Sequence, residues 1–177
     1  MSLTLRPARS EDTPRIQNLM LVSMRRLGEG YYTPDEIESA LATICIPDPD
    51  LIGDGGFFLV EDGELLVGCG GWSRRRRTHA GPAMAPGDDA ILDPAREPAR
   101  VRAMFTHPDH ARRGIGRMIL DAAEKGSAAA GYHRMVLTAT MSGHPFYRRN
   151  GYREVETTTT LLADGREVAV VAMEKDL

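Results

Sequence analysis

The sequence is poor in the residues that would staple a small secreted fold or hold a structural metal. It has two cysteines, Cys45 and Cys69, and no Cys-x-x-Cys pair. Cys45 ends an apolar helical pattern and Cys69 lies in an apolar strand pattern, so both read as buried thiols of a reducing compartment. No apolar run approaches the roughly 18 residues of a membrane span, and no charged n-region with an apolar h-region opens the chain. These absences lead us to expect a cytoplasmic protein. Strong charge is lacking too: 22 Lys and Arg against 25 Asp and Glu leave a net charge of −3, which gives no global pull toward nucleic acid or an anionic membrane. Internal repeats are also missing. What remains is an ordinary globular composition, 42% hydrophobic and 27% charged, at a length that suits one domain over residues 1–177.

The patterning alternates between periods of 2 and 3.6. Leu3 and Leu5 start a short strand. Ile16, Leu19, Met20, Met24 and Leu27 follow at helical spacing, with Gly28 after them. Thr33-Pro34-Asp35-Glu36 is a capping box with Pro at the first helical position, and Ile37, Ala40, Leu41 and Ile44 supply the apolar face. Pro47-Asp48-Pro49-Asp50 is read as its stop. Residues 57–60 and 65–67 form a hairpin around Asp62-Gly63. Residues 74–98 lack periodicity and mix Arg, Gly, Pro and Asp, which predicts a long, mobile loop beside the cleft. Strands are expected at 101–106 and 135–139. Between them Ile115, Met118, Ile119, Ala122 and Ala123 mark an amphipathic helix. A short helix at 145–149 and a hairpin of residues 154–161 and 167–173 around Asp164-Gly165 close the pattern. The order β-α-α-β-β-β-α-β-α-β-β predicts a layered α/β fold on a mixed sheet.

The most informative stretch runs Met104-Phe105-Thr106-His107-Pro108-Asp109-His110-Ala111-Arg112-Arg113-Gly114-Ile115-Gly116-Arg117. A strand ends, a basic turn with glycines follows, and an amphipathic helix begins. Glycines admit close approach of a ligand to the backbone, and a helix start presents unpaired N–H groups at its positive end. Arg112, Arg113 and Arg117 add charge, so the unit reads as a pyrophosphate cradle. An ordinary strand–helix connection is the plain alternative. A Rossmann fingerprint fails because Ile119 stands at its third glycine, and a Walker loop fails because no Gly-Lys-Ser/Thr follows.

This stretch resembles the acetyl-CoA signature of the GNAT (GCN5-related) N-acetyltransferases, Gln/Arg-x-x-Gly-x-Gly/Ala, with the window at Ala111-Arg112-Arg113-Gly114-Ile115-Gly116. Ala111 stands where that family usually has Gln or Arg. Downstream, Phe146-Tyr147-Arg148-Arg149-Asn150-Gly151-Tyr152 is similar to the family's Phe-Tyr-x-x-x-Gly-Phe/Tyr block, although the same residues also suit the apolar side of a short helix. Thr140 stands where many members have Asn. The resemblance implies a mixed, mainly antiparallel sheet with splayed parallel central strands and helices on both faces. It implies acetyl-CoA as co-substrate, with Met104, Phe105 and Thr106 along the pantetheine arm and Arg112, Arg113, Gly114, Ile115, Gly116 and Arg117 around the pyrophosphate. Tyr147 matches the family's general acid, and a backbone N–H near Phe105 would hold the thioester oxygen.

The activity so implied is transfer of acetyl from acetyl-CoA to a primary amine by direct attack in a ternary complex. Its partner would be a small-molecule or peptide amine, with no nucleic acid, membrane or metal, and a homodimer is compatible with it. The rival reading is a non-catalytic acyl-CoA-binding or regulatory module, against which Tyr147 argues. A third, a nucleic-acid-binding regulator, rests on the run Arg74–Arg77, which reads more simply as a solvated strand end and alternatively as a contact for an anionic acceptor or a CoA phosphate. For a general base the candidates are His107, His144, Asp93 and Glu97, none of which the sequence singles out. Acceptor choice is expected to lie with residues 28–46 and 74–98.

Overall fold

The computed structural model describes residues 2–77 and 89–177. Strand β1 (Leu3–Pro7) leads through a 3₁₀ turn into helix α1 (Thr13–Leu27), followed by α2 (Pro34–Thr43) and α3 (Pro49–Gly53). The hairpin β2 (Phe57–Asp62) and β3 (Leu65–Ser73) comes next, then β4 (Ala99–Thr106), a 3₁₀ turn at Pro108–His110, and α4 (Ile115–Ala129). Strand β5 (Arg134–Thr140), helix α5 (His144–Arg149) and the hairpin β6 (Arg153–Leu161) and β7 (Glu167–Asp176) complete the chain. No helix among the described residues is long and apolar enough to cross a membrane.

The seven strands form one sheet in the order β1-β2-β3-β4-β5-β7-β6. Every neighbouring pair is antiparallel except β4 and β5. That parallel pair is joined only at Ala99–Met135 and Arg100–Val136. Beyond Arg100 the two strands part, and their facing backbone edges open into a wedge. Successive side chains point to opposite faces of a strand, and the two faces carry separate cores. One face packs Leu59, Leu66 and Cys69 against Ile16, Leu19 and Met20 of α1 and Ile37, Ala40 and Leu41 of α2. The other packs Val101, Met135, Leu137 and Ala139 against Leu120 and Ala123 of α4 and Tyr147 of α5, with Val60 and Val67 against Ile115 and Ile119 beside them.

Local chemistry accounts for most element ends. At α2 the expected capping box forms: Glu36 N–H donates to Thr33 Oγ1 at 3.3 Å, and Thr33 N–H to Glu36 Oε2 at 2.7 Å. The segment expected only to stop α2 instead begins α3, because the Asp48 carboxylate accepts from the Asp50 and Leu51 amides with Pro49 at the first helical position. Strand β3 runs to Ser73, six residues beyond the apolar run 65–67, since its Gly-rich half is still a central strand buried on both faces. Within the expected loop 74–98, residues 78–88 lie outside the described residues. Its limbs are ordered by a bridge between Arg75 and Ile91 and by Leu92 N–H bonding Arg74 C=O at 2.8 Å.

Candidate active site

The wedge between β4 and β5 continues into a cleft of about 780 Å³. At one end lies the turn into α4. Arg112 (φ 64) and Gly114 (φ 82) both adopt left-handed backbone, which turns the chain sharply into the first helical turn. A Cβ built on Gly114 meets nothing within 4 Å, so its open side faces the space a ligand would fill. The first internal bond of α4 runs from Met118 N–H to Gly114 C=O at 3.0 Å. The amides of residues 112–117 thus have no protein acceptor among the described residues. A row of unpaired N–H groups at a helix start is an anion site.

The three arginines of this turn have different surroundings. Arg112 lines the cleft and makes no ion pair among the described residues. Arg117 lines it too, held by Asp121 at 2.7 Å and by the Asn150 side-chain oxygen at 2.7 Å. Arg113 turns away and pairs with Asp62 at 2.8 Å. Ile115, also in the signature, is buried against Val60 and Val67 and anchors the helix. Gly116 brings the Phe146 ring against the first turn of α4, where a Cβ would come within 3.1 Å of it. Sequence reasoning missed Arg149 and Asn150, which line the same end; the basic end of the short helix, Arg148-Arg149-Asn150, was the available signal.

Met104, Phe105 and Thr106 line the middle of the cleft along β4. The β3–β4 register slips between Cys69–Phe105 and Gly71–Arg102, so Gly70 faces both Ala103 and Met104. This is a β-bulge: Ala103 sits at φ 52, and Gly70 at φ 151 has Met104 within 3.0 Å of where its Cβ would be. The bulge re-aims the backbone of β4 at the wedge.

Tyr147 projects from α5 into this space. It is 8% exposed, and no protein group bonds its hydroxyl among the described residues. Desolvation pushes its phenol well above the ordinary range. Edge-on contacts with Phe146 and Tyr152, at centroid distances of 5.1 and 5.7 Å, fix the ring. Thr140, at the end of β5, accepts the Gly143 amide at 3.2 Å and so shapes the turn into α5. Tyr32, buried in the core beside α1 and α2, braces that turn. Its hydroxyl accepts from Met141 N–H at 2.8 Å and donates to Ala169 C=O at 3.1 Å. It thereby bridges β5 and β7 just past their last paired residues, Thr140 and Val170.

The far end of the cleft is formed by Leu27, Gly28 and Tyr31 at the end of α1, Ile44, Ile46 and Asp48 after α2, and Arg100 and Arg102 on β4. Of residues 28–46, Gly28, Tyr31, Ile44 and Ile46 thus line the cleft. The described residues of 74–98 do not line the cleft. The run Arg74–Arg77 is not simply a solvated strand end. Arg75 pairs with Asp54 at 2.7 Å and Arg76 with Glu97 at 2.8 Å, while Arg77 is buried against Asp48 at 3.0 Å. Arg102 shares the Asp48 carboxylate at 3.1 Å. Of the base candidates, His107 is the turn residue its His-Pro context suggests, its Nδ1 accepting from Asp109 N–H. His144 pairs with Glu154 at 2.8 Å outside the cleft lining, and Glu97 is engaged with Arg76.

A mixed sheet opened at one parallel pair, with a row of free amides at the helix start below it, is the architecture of acetyltransferases of the GNAT class. The family model described as Acetyltransferase (GNAT) domain matches residues 53–154, and the chain belongs to that family. Its fold is similar to a GCN5-related N-acetyltransferase from Rhodopseudomonas palustris, with 20% identity over 100% of this chain and 97% of that one and a TM-score of 0.74. It is similar also to the PaiA N-acetyltransferase of Thermoplasma acidophilum, solved in complex with coenzyme A, with 18% identity, full coverage of both chains and a TM-score of 0.69. A third structure, a putative acetyltransferase (yncA) from Salmonella typhimurium with its cofactor acetyl-CoA, has 14% identity over 100% and 95% of the two chains and a TM-score of 0.64. The search of curated proteins returned no match.

Proposed function

We propose that this chain transfers acetyl from acetyl-CoA to a primary amine in a ternary complex, as a single cytoplasmic domain. The observation that carries the reading is the conjunction, in one cleft, of unpaired amides at residues 112–117 with a desolvated and unpaired Tyr147 hydroxyl. The amides suit the pyrophosphate, with Arg112 and Arg117 beside them. The wedge suits the extended pantetheine arm, whose amides take the place of the missing ladder along Met104, Phe105 and Thr106. Two buried free thiols support a reducing compartment.

The acceptor enters past Tyr31 and Ile44 as a neutral amine, having lost a proton to water or a base, since an alkylammonium titrates near about 10.4. Its lone pair attacks the thioester carbon. A backbone N–H of the bulged segment near Phe105 receives the carbonyl oxygen as it becomes an oxyanion. The carbon–sulfur bond then breaks, the amine nitrogen gives up its second proton to solvent, and the Tyr147 hydroxyl donates a hydrogen bond to the departing thiolate, which takes its proton from solvent. Holding both substrates in one cleft supplies much of the rate.

The test is thiol release from acetyl-CoA across a library of alkylamines, diamines, amino sugars and peptides with free N-termini. Amine-dependent release with a matching acetylated product is expected. Tight CoA binding without release for any amine would favour the non-catalytic module.

A further inference from the structure

The hairpin corner Asp62 entered the sequence reading only as a turn residue. In the fold its carboxylate is 3% exposed, with Oδ2 accepting from Arg113 at 2.8 Å and His110 Nε2 standing 3.9 Å away. Its Oδ1 is buried without a hydrogen-bond partner. A buried carboxylate with one oxygen unpaired is a liability unless its partner is worth keeping. The partner sits in the middle of the turn that presents the free amides, between Arg112 and Gly114, both left-handed. A left-handed residue other than glycine is unfavourable by about 1 kcal/mol or more, so its surroundings must hold it. Beyond the bonds that close the preceding turn and open α4, the ion pair with Asp62 is the one side-chain tie on residues 112–114 among the described residues.

Resting on the reading that this turn binds the pyrophosphate, we propose that Asp62 is a positioning residue for the cofactor. It holds Arg113 from behind, so that Arg113 serves the pyrophosphate through its backbone while Arg112 meets it with charge. The amides are thereby set in place before the ligand arrives, and pre-organisation of this kind appears as affinity.

Calorimetry with coenzyme A and with pantetheine, which lacks the pyrophosphate, tests the assignment. Asp62→Ala and Arg113→Ala should each weaken CoA binding about tenfold, the size expected for one lost charged hydrogen bond. The double variant should be no worse than either single one, because both remove the same tie. Pantetheine binding should be unchanged in all three. If Asp62→Ala does not fold, Asp62→Asn keeps the shape and should shift CoA affinity in the same direction. Loss of CoA affinity in Arg113→Ala with none in either Asp62 variant would overturn the proposal, since Arg113 would then reach the phosphates itself. So would equal losses for CoA and pantetheine, which mark a defect of the whole fold. A wild-type protein that does not bind CoA would refute the pyrophosphate reading before any variant is made.

Discussion

Replacing Tyr147 by Phe removes one oxygen from the cleft and changes little else. The ring keeps its contacts with Phe146 and Tyr152. No hydrogen bond within the described protein is lost, so the melting temperature should hold or rise slightly, as expected when a buried hydroxyl without a partner is removed. The effect on turnover follows from proton affinities. An alkyl thiol titrates near about 8.5, whereas burial holds the Tyr147 phenol well above its own ordinary value. Complete transfer from phenol to thiolate is therefore uphill, and the hydroxyl acts mainly as a hydrogen-bond donor to charge growing on sulfur. Removing one such donor lowers turnover by roughly 10²–10³-fold, about 3–4 kcal/mol of barrier. Because the phenol stays protonated, Tyr147 should add no alkaline limb to the pH–rate profile below about pH 9. The assay is thiol release with a productive amine at saturation, alongside CoA calorimetry. A rapid-quench experiment must show that chemistry limits the rate, since slow product release hides the effect. Unchanged kcat under those conditions would remove Tyr147 from the mechanism, and joint loss of stability and CoA affinity would assign it to packing.

Three further outcomes are expected. Gly114→Val puts a branched side chain at φ 82 and into open ligand space, so calorimetry should show CoA affinity at least tenfold weaker, while Gly114→Ala pays mainly the backbone strain of about 1–2 kcal/mol. Tyr32→Phe strips the bridging hydroxyl from Met141 N–H and Ala169 C=O; urea denaturation should show a loss of about 1–3 kcal/mol, and Met141 amide exchange should accelerate. The Arg6 guanidinium holds Asp12 down to about 2 from 3.8. A carboxyl whose folded value is depressed stabilises the fold above its unfolded value and loses that as pH falls through the folded one. About 2 kcal/mol should thus disappear between pH 4 and pH 2, and Asp12→Asn should flatten that part of the pH–stability curve.

Much of this site was legible because its signals are local. A capping box, a hairpin corner and a Gly-x-Gly helix start each act within a few residues, and Tyr147 came with its aromatic neighbour and its spacing. What stayed hidden depends on distant partners. Pro49 after Asp48 looked like a stop because the same residues end one helix and start another, and only the Asp48 cap distinguishes them. The bulge at Ala103 has no signature of its own; Gly70 on the neighbouring strand is its trace. Arg77 is buried and Arg76 exposed within one uniform run because Asp48 lies 29 residues away. Which of Arg112 and Arg113 faces the cleft follows from the left-handed backbone at Arg112, and the two adjacent basic residues look equivalent until that rotation is known.

The two-rung junction between β4 and β5 also has a thermal consequence. Every other joint in the sheet is a longer ladder of directional bonds. Here the two halves are held mainly by side chains beneath the gap, Val101, Leu120 and Ala123 on one side and Met135, Leu137 and Tyr147 on the other. Apolar adhesion weakens on cooling, and backbone ladders do not share that dependence. Without its ligand the molecule should therefore loosen along this seam in the cold before it loosens anywhere else in the sheet.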